Sequence, residues 1–281
     1  MQQGNAEGAS LAMRRVLSAW PLLLSLLLAG PLAAEQTVRV GSVYFPPYVF
    51  KPEQSQGAAL LPQLLDALNR QQADFHFVTH PTSIPRRYRD FEQGRIDLAI
   101  FENPAWGWQP IAHSVVDMGL EDSEVFVARA RPGRQQDYFS TLGGKRLALF
   151  SGYHYAFAGF NAEPEFLRTA FNASLSYSHD SNLLMVLHGR ADIALVTRSY
   201  IGDFLRRHRQ YSGQLLISER VDQRYLHHVL IRPGSPISAE QFAGLLEQLR
   251  QNGQLADIFG RYQIVVKSGA VDSSITADAA D

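Results

Sequence analysis

VRVGSVYFPPYVF, residues 38–50, passes from a β-branched run through Gly41 into a double proline rimmed by aromatic side chains. The first half favours a strand, and Pro46-Pro47 ends it, because each ring fixes φ near about −65° and removes a backbone donor. Tyr44, Phe45 and Tyr48 are therefore carried on a rigid loop that loses little entropy when something packs against it. Such a loop suits the wall of a pocket.

The segments after it alternate. Residues 58–70, AALLPQLLDALNR, place leucines 60, 61, 64, 65 and 68 at helical spacing, with Pro62 tolerable in the first turn. Residues 75–79 alternate like a strand, 85–93 read as a short helix ended by Gly94, and 96–101 form an apolar run typical of a parallel-sheet strand. The order β-α-β-α-β argues for a parallel sheet with crossover helices, whose ligand sites lie beyond the carboxyl ends of the strands. The Pro-Pro loop lies at such an end.

A second unit repeats the plan. EVFVARA at 124–130 is a strand, and the turn Arg131-Pro132-Gly133-Arg134 marks a boundary. Strands are then expected at 146–150, 175–177, 193–196 and 223–231, and helices at 164–171, 182–188 and 239–251, with Gly253 as a cap. The pattern helix, Gly, basic, any residue, Asp, apolar strand occurs twice, as EQGRIDLAI and LHGRADIALV. Two α/β lobes on one plan are the expectation.

The N-terminus reads as an export signal. Met13-Arg14-Arg15, an apolar run broken by Ser18, Pro21 and Ser25, and PLAA before Glu35 give the basic, apolar and small-residue regions of a signal peptide over residues 1–34. The run is shorter than the roughly 20 residues a membrane-spanning helix needs. Met13 is a candidate true start, with residues 1–12 an upstream extension. The chain has no cysteine, so it holds no disulfide, thiolate metal site or lipid-bearing cysteine. With 26 basic and 27 acidic residues it is close to neutral, and no nucleic-acid partner is implied. The small polar residues 267–281 read as a disordered tail.

Taken together, RVGSVYFPPYVF, RRYRDFEQGRIDLAI, EVFVARARPG, LHGRADIALV, HHVLIRPGSP and LEQLRQNGQLADIFGRYQ resemble the family 3 bacterial solute-binding proteins, over roughly residues 38–263. The resemblance implies the type II periplasmic-binding fold: two lobes, each a mainly parallel sheet flanked by helices, joined by two crossover strands. Lobe 1 would be 35–128 plus 226–266 and lobe 2 129–225, with crossings near 124–131 and 225–232. It also implies a soluble, monomeric periplasmic protein that closes on a small molecule and presents it to an ABC permease or a membrane sensor. No cofactor and no catalytic residue are implied.

By the same resemblance Phe45, before the double proline, packs on the ligand. The hydroxyl residues and arginine that clamp a ligand carboxylate in that family are replaced here by Phe101-Glu102-Asn103-Pro104-Ala105-Trp106-Gly107-Trp108-Gln109. The second-lobe Gly-Thr-Thr turn reads Gly152-Tyr153-His154, and the aspartate that takes the ligand amino group falls at Thr197, beside Arg198. The expected site is thus Phe45, Tyr48, Phe101, Glu102, Asn103, Trp106, Trp108, Tyr153, His154, Thr197 and Arg198. A buried carboxylate without a charge partner costs several kcal/mol, so an aromatic or cationic ligand fits better than an α-amino acid. Arg198, or one of Arg86, Arg87 and Arg89, could instead replace the missing clamp. No metal site is expected, since His154, His227 and His228 lack further ligands at binding spacing. Cyclohexadienyl dehydratases share this fold, and in that alternative Glu102 or His154 would act as acid or base.

Overall fold

A computed structural model describes residues 34–50 and 59–267. The signal-peptide and tail expectations fall outside these residues except at 34 and 267, and Lys267 donates from its backbone N to Gly119 O at 2.7 Å. Among the described residues no helix is long and apolar enough to cross a membrane.

Nine strands form one sheet in the order β2-β1-β3-β8-β4-β7-β5-β6, with β9 (Val265–Val266) paired to β4. In the first half β1 (Gln36–Ser42) runs parallel to both β2 (Phe75–Pro81) and β3 (Leu98–Glu102). In the second, β5 (Leu147–Phe150) runs parallel to both β6 (Ala173–Ser176) and β7 (Ile193–Thr197). Between them lie two long antiparallel strands, β4 (Ser114–Arg129) and β8 (Leu215–Ile231). β8 also pairs with β3, and β4 with β7, so each long strand completes one half of the sheet while binding the other.

The repeated Gly-Arg-x-Asp pattern builds the same corner in both halves. Asp97 accepts from the backbone N, Nε and Nη2 of Arg39, at 2.9, 2.9 and 2.8 Å. Asp192 accepts from the same three donors of Arg146, at 2.9, 3.0 and 3.0 Å. A carboxylate just before each third parallel strand is tied to an arginine of the central one, in mid-strand at Arg39 and just before the strand at Arg146, and these bonds hold the Asp97 and Asp192 carboxyls below their usual range against the opposing effect of burial. Gly94 and Gly189 precede these corners with φ of 66° and 73°, a conformation L side chains resist.

Helices close the faces. α1 (Leu60–Gln71) buries Leu60, Leu61, Leu64, Leu65, Ala67 and Leu68, the leucine stripe of the sequence, and each buried leucine contributes about 2 kcal/mol. α2 (Arg87–Glu92), α3 (Pro164–Phe171) and α4 (His179–Leu187) follow, the last starting earlier than expected because Ser178 Oγ accepts from Ser181 N. α5 (Arg198–Arg207) ends in the basic pair Arg206-Arg207, which is not free: Arg206 pairs with Asp203 at 3.1 Å, and Arg207 with Asp180 and Asp203 at 2.9 Å each. α6 (Ala239–Gln251) starts on a capping box between Ser238 and Gln241, and Gly253 joins it to α7 (Gln254–Phe259).

The core changes hands inside the long strands. Val116, Met118 and Leu120 pack with α1, α6 and α7 in the first core, whereas Val125 and Val127 pack with α4 and α5 in the second. On β8 the corresponding change falls between Val221 and Val229.

Candidate functional site

A cavity of about 570 Å³, counting its open mouth, lies where the carboxyl ends of β1 and β3 meet the turn after β5. The first half supplies Val43, Tyr44, Phe45, Ile84, Arg87, Phe101, Glu102 and Trp106. The turn supplies Gly152, Tyr153 and His154, and the crossing strand β8 supplies Tyr225.

The Pro-Pro loop is closed on itself by reciprocal backbone bonds between Phe45 and Val49, at 3.1 and 2.9 Å. Phe45 is thereby fixed with its ring stacked on Tyr48 at 4.7 Å and edge-on to Tyr153 at 5.6 Å and Tyr225 at 6.2 Å. Opposite it, Gly152 has φ of 85°, and a Cβ there would stand 3.1 Å from Ile84 Cγ2. Only glycine allows the turn and the first half to approach so closely.

Phe101, the last residue but one of β3, has φ of 64°, a conformation that costs an L residue about 1–2 kcal/mol. Its ring packs on Tyr48 at 4.6 Å and Phe259 at 5.9 Å, and the pairing of β3 with β8 shifts register there. Glu102 follows at the cavity wall. Its Oε1 lies 3.0 Å from Arg87 Nε and its Oε2 accepts from Trp108 Nε1 at 2.9 Å. Arg87 in turn donates from Nη2 to Tyr88 Oη at 2.9 Å and sits over the Tyr88 ring. Arg87 and Glu102 are only 5 and 6% exposed, so this is a buried ion pair. Burial pushes the Glu102 carboxyl up, opposed by Arg87 and by the Trp108 bond. His154 is pushed down to about 4, by burial first and then by the Arg87 charge, so its imidazole is neutral at physiological pH.

Of the residues expected from sequence, Phe45, Phe101, Glu102, Trp106, Tyr153 and His154 line the cavity. The other five do not. Tyr48 is fully buried behind Phe45, donating to Asp122 Oδ2 at 3.0 Å with His227 Nε2 2.7 Å from the same hydroxyl. Asn103 closes its own turn by accepting from Ala105 N at 2.9 Å. Trp108 is buried against Tyr88 and Phe91 and reaches the site only through Glu102. Thr197 is enclosed at the end of β7, where Ser199 Oγ lies 3.2 Å from its hydroxyl, and Arg198 turns to Ser218 O at 3.4 Å. Gln109 is exposed and bonded to Ala105 O. Among the candidate arginines only Arg87 reaches the cavity; Arg86 is 61% exposed beside Asp90.

Tyr225 and the groups behind it were not signalled as a site by the sequence. Its hydroxyl donates to Glu124 Oε2, and Glu124 is fully buried on β4 with Oε1 lacking a hydrogen-bond partner. Burial pushes the Glu124 carboxyl up to about 8; the Tyr225 bond opposes this, and the Asp222 and Asp122 charges add to it. Asp122, nearby on the same strand, accepts from Ser199 Oγ at 2.5 Å and Ser123 N at 2.7 Å as well as from Tyr48. Polar residues in mid-strand carry no periodic signal, and only their spatial partners reveal them.

No protein-family model matches the chain, and no curated protein matches it by sequence. Solved structures do. A histidine kinase sensor domain with similarity to periplasmic binding proteins aligns with a TM-score of 0.61 at 16% identity, covering 83% of this chain and 99% of its own. An ancestral arginine-binding protein bound to arginine aligns at 0.60 and 16% identity, covering 82 and 99%. A probable amino-acid ABC transporter extracellular-binding protein from Bacillus subtilis aligns at 0.61 and 13% identity, covering 81 and 98%. The chain has the type II periplasmic-binding fold. In that fold the cavity sits between two lobes, and its lining here draws on both halves of the sheet.

Proposed function

We propose that this chain is a periplasmic solute-binding protein: a monomer, exported by its N-terminal signal, that closes its two lobes on a small molecule and presents the closed form to a membrane transporter or sensor. The lobes, 35–128 plus 226–266 and 129–225, exchange within β4 and β8, a reading supported by the change of core between Leu120 and Val125 and between Val221 and Val229. The observation that carries the reading is the aromatic cavity between the halves, with Phe45 on one wall and Tyr153 on the other. A ligand touching both walls stabilises the closed state by contacts it cannot make in the open one.

Transport and sensing share this step. The B. subtilis neighbour is described as part of an ABC transporter and another neighbour as a kinase sensor domain, so either partner is compatible. Binding without turnover is the preferred reading because both oxygens of Glu102 are engaged and His154 is a weak base.

A thermal-shift screen of metabolites tests it. At least one compound should raise Tm in a concentration-dependent way, by about 2.7 kcal/mol of added stability at a hundredfold excess over Kd. Phe45→Ala should weaken that compound's binding about tenfold or more, given the aromatic area removed. A screen without a hit, or a shift unchanged in Phe45→Ala, contradicts the assignment.

A further inference from the structure

The hydrogen-bonding inventory of the cavity is one-sided. Glu102, the carboxylate in the lining, has Oε1 against Arg87 and Oε2 on the Trp108 indole, so an incoming ammonium group would have to share oxygens whose charge Arg87 already balances. The Arg87 charge is cancelled by the same pair, so a ligand carboxylate would meet Arg87 together with Glu102. His154 bears no charge near neutral pH. One buried donor of the lining stands apart from the ion pair and is unspent: Trp106 Nε1 has no hydrogen-bond partner, whereas Arg87 lies with Nε 3.0 Å from Glu102 and donates from Nη2 to Tyr88. The remaining walls are apolar, with aromatic faces and edges from Tyr44, Phe45, Phe101, Tyr153 and Tyr225 beside aliphatic side chains such as Val43 and Ile84.

Resting on the reading of this cavity as a solute site, we propose that its occupant is an uncharged planar aromatic carrying a carbonyl-type acceptor that takes a hydrogen bond from Trp106. An uncharged ligand leaves the Arg87–Glu102 pair intact, whereas an ammonium or carboxylate must either break it or lie buried beside a like charge. The acceptor supplies what the indole lacks, and the ring lies against the aromatic lining of the cavity, where Phe45 and Tyr153 meet edge to face.

The test is calorimetric titration at neutral pH with four compounds that share one ring system: naphthamide, naphthylmethylammonium, naphthoate and naphthylalanine. Naphthamide should bind at least about tenfold tighter than each of the other three, and Trp106→Phe should weaken it about tenfold, the worth of one buried hydrogen bond. Trp106→Phe should lower the Tm of the free protein only slightly, because the indole N–H it removes had no partner and the phenyl ring keeps an aromatic contact to Tyr225. Tighter binding of the ammonium, the carboxylate or the zwitterion overturns the proposal, as does naphthamide binding indifferent to Trp106→Phe. If none of the four binds while another compound gives a Phe45-dependent thermal shift, the ligand class is wrong and the solute-binding reading stands. If nothing binds at all, both fall.

Discussion

Glu102 shows what a single residue can hide. From sequence it is a carboxylate after a buried strand, equally suited to a ligand or to an arginine. In the folded chain it lines the cavity and is already held, because β3 and α2 bring Arg87 against it and Trp108 folds back onto its second oxygen. The pairing could not be read from spacing, since the first contact joins two elements. Phe45 was legible for the opposite reason: the double proline fixes its loop locally. The ion pair makes a sharp demand on stability. Glu102→Leu or Arg87→Met alone leaves a buried charge without its partner and should cost about 3–5 kcal/mol. The double variant should recover most of that loss. Urea denaturation of the three proteins checks this, and additive losses in the double variant would mean that the two charges are not coupled.

Among the elements, β4 and β8 were the hardest to see whole. Their apolar ends read as strands at 124–130 and 223–231, while Asp117, Glu121 and Asp122 on β4 and Glu219, Arg220 and Asp222 on β8 interrupt the apolar pattern. Several of these are satisfied across the structure instead: Asp122 by Tyr48 and Ser199, Asp222 by the backbone N of Ala156 and Phe157. By contrast the duplicated Gly-Arg-x-Asp corners were visible, because each is a local pattern feeding an apolar strand. The crossing strands also carry a pH dependence. Glu124 binds its proton up to about pH 8 in the fold, against about 4.5 for an ordinary glutamate. Its contribution is fully present below about pH 4.5, and between there and about pH 8 the folded state keeps a proton that the unfolded state has lost. Stability therefore falls as pH rises through that window, by at most about 1.4 kcal/mol per pH unit, and is level above it. Glu124→Gln should remove this slope. His154, His179 and His227, pushed down to about 4, 3 and 3 by burial, act with the opposite sign as pH falls below about 6.5. They are common to both proteins and cancel in the difference. Parallel stability curves for wild type and Glu124→Gln from about pH 5 to about pH 9 would show that Glu124 does not titrate in this range.

For the whole molecule, the strand orders 2-1-3 and 6-5-7 on either side of β8 and β4 are the plan that the repeated motifs announced. The order of elements was legible because each rests on short-range patterns of apolar period, proline and glycine. The chemistry of the cleft was not, because it depends on which charges neutralise one another across elements and on the close approach of Gly152 to Ile84. The outcome is a cavity walled by aromatic rings, with its ion pair internally spent, between halves joined by two long strands. Native mass spectrometry of the chain purified from cells, before and after incubation with a metabolite library and beside Phe45→Ala, tests this most directly. The wild type should carry a non-covalent small-molecule adduct that is released on unfolding and is depleted in Phe45→Ala. A bare wild-type mass under every condition, or an adduct retained equally by Phe45→Ala, would contradict a solute-binding cleft.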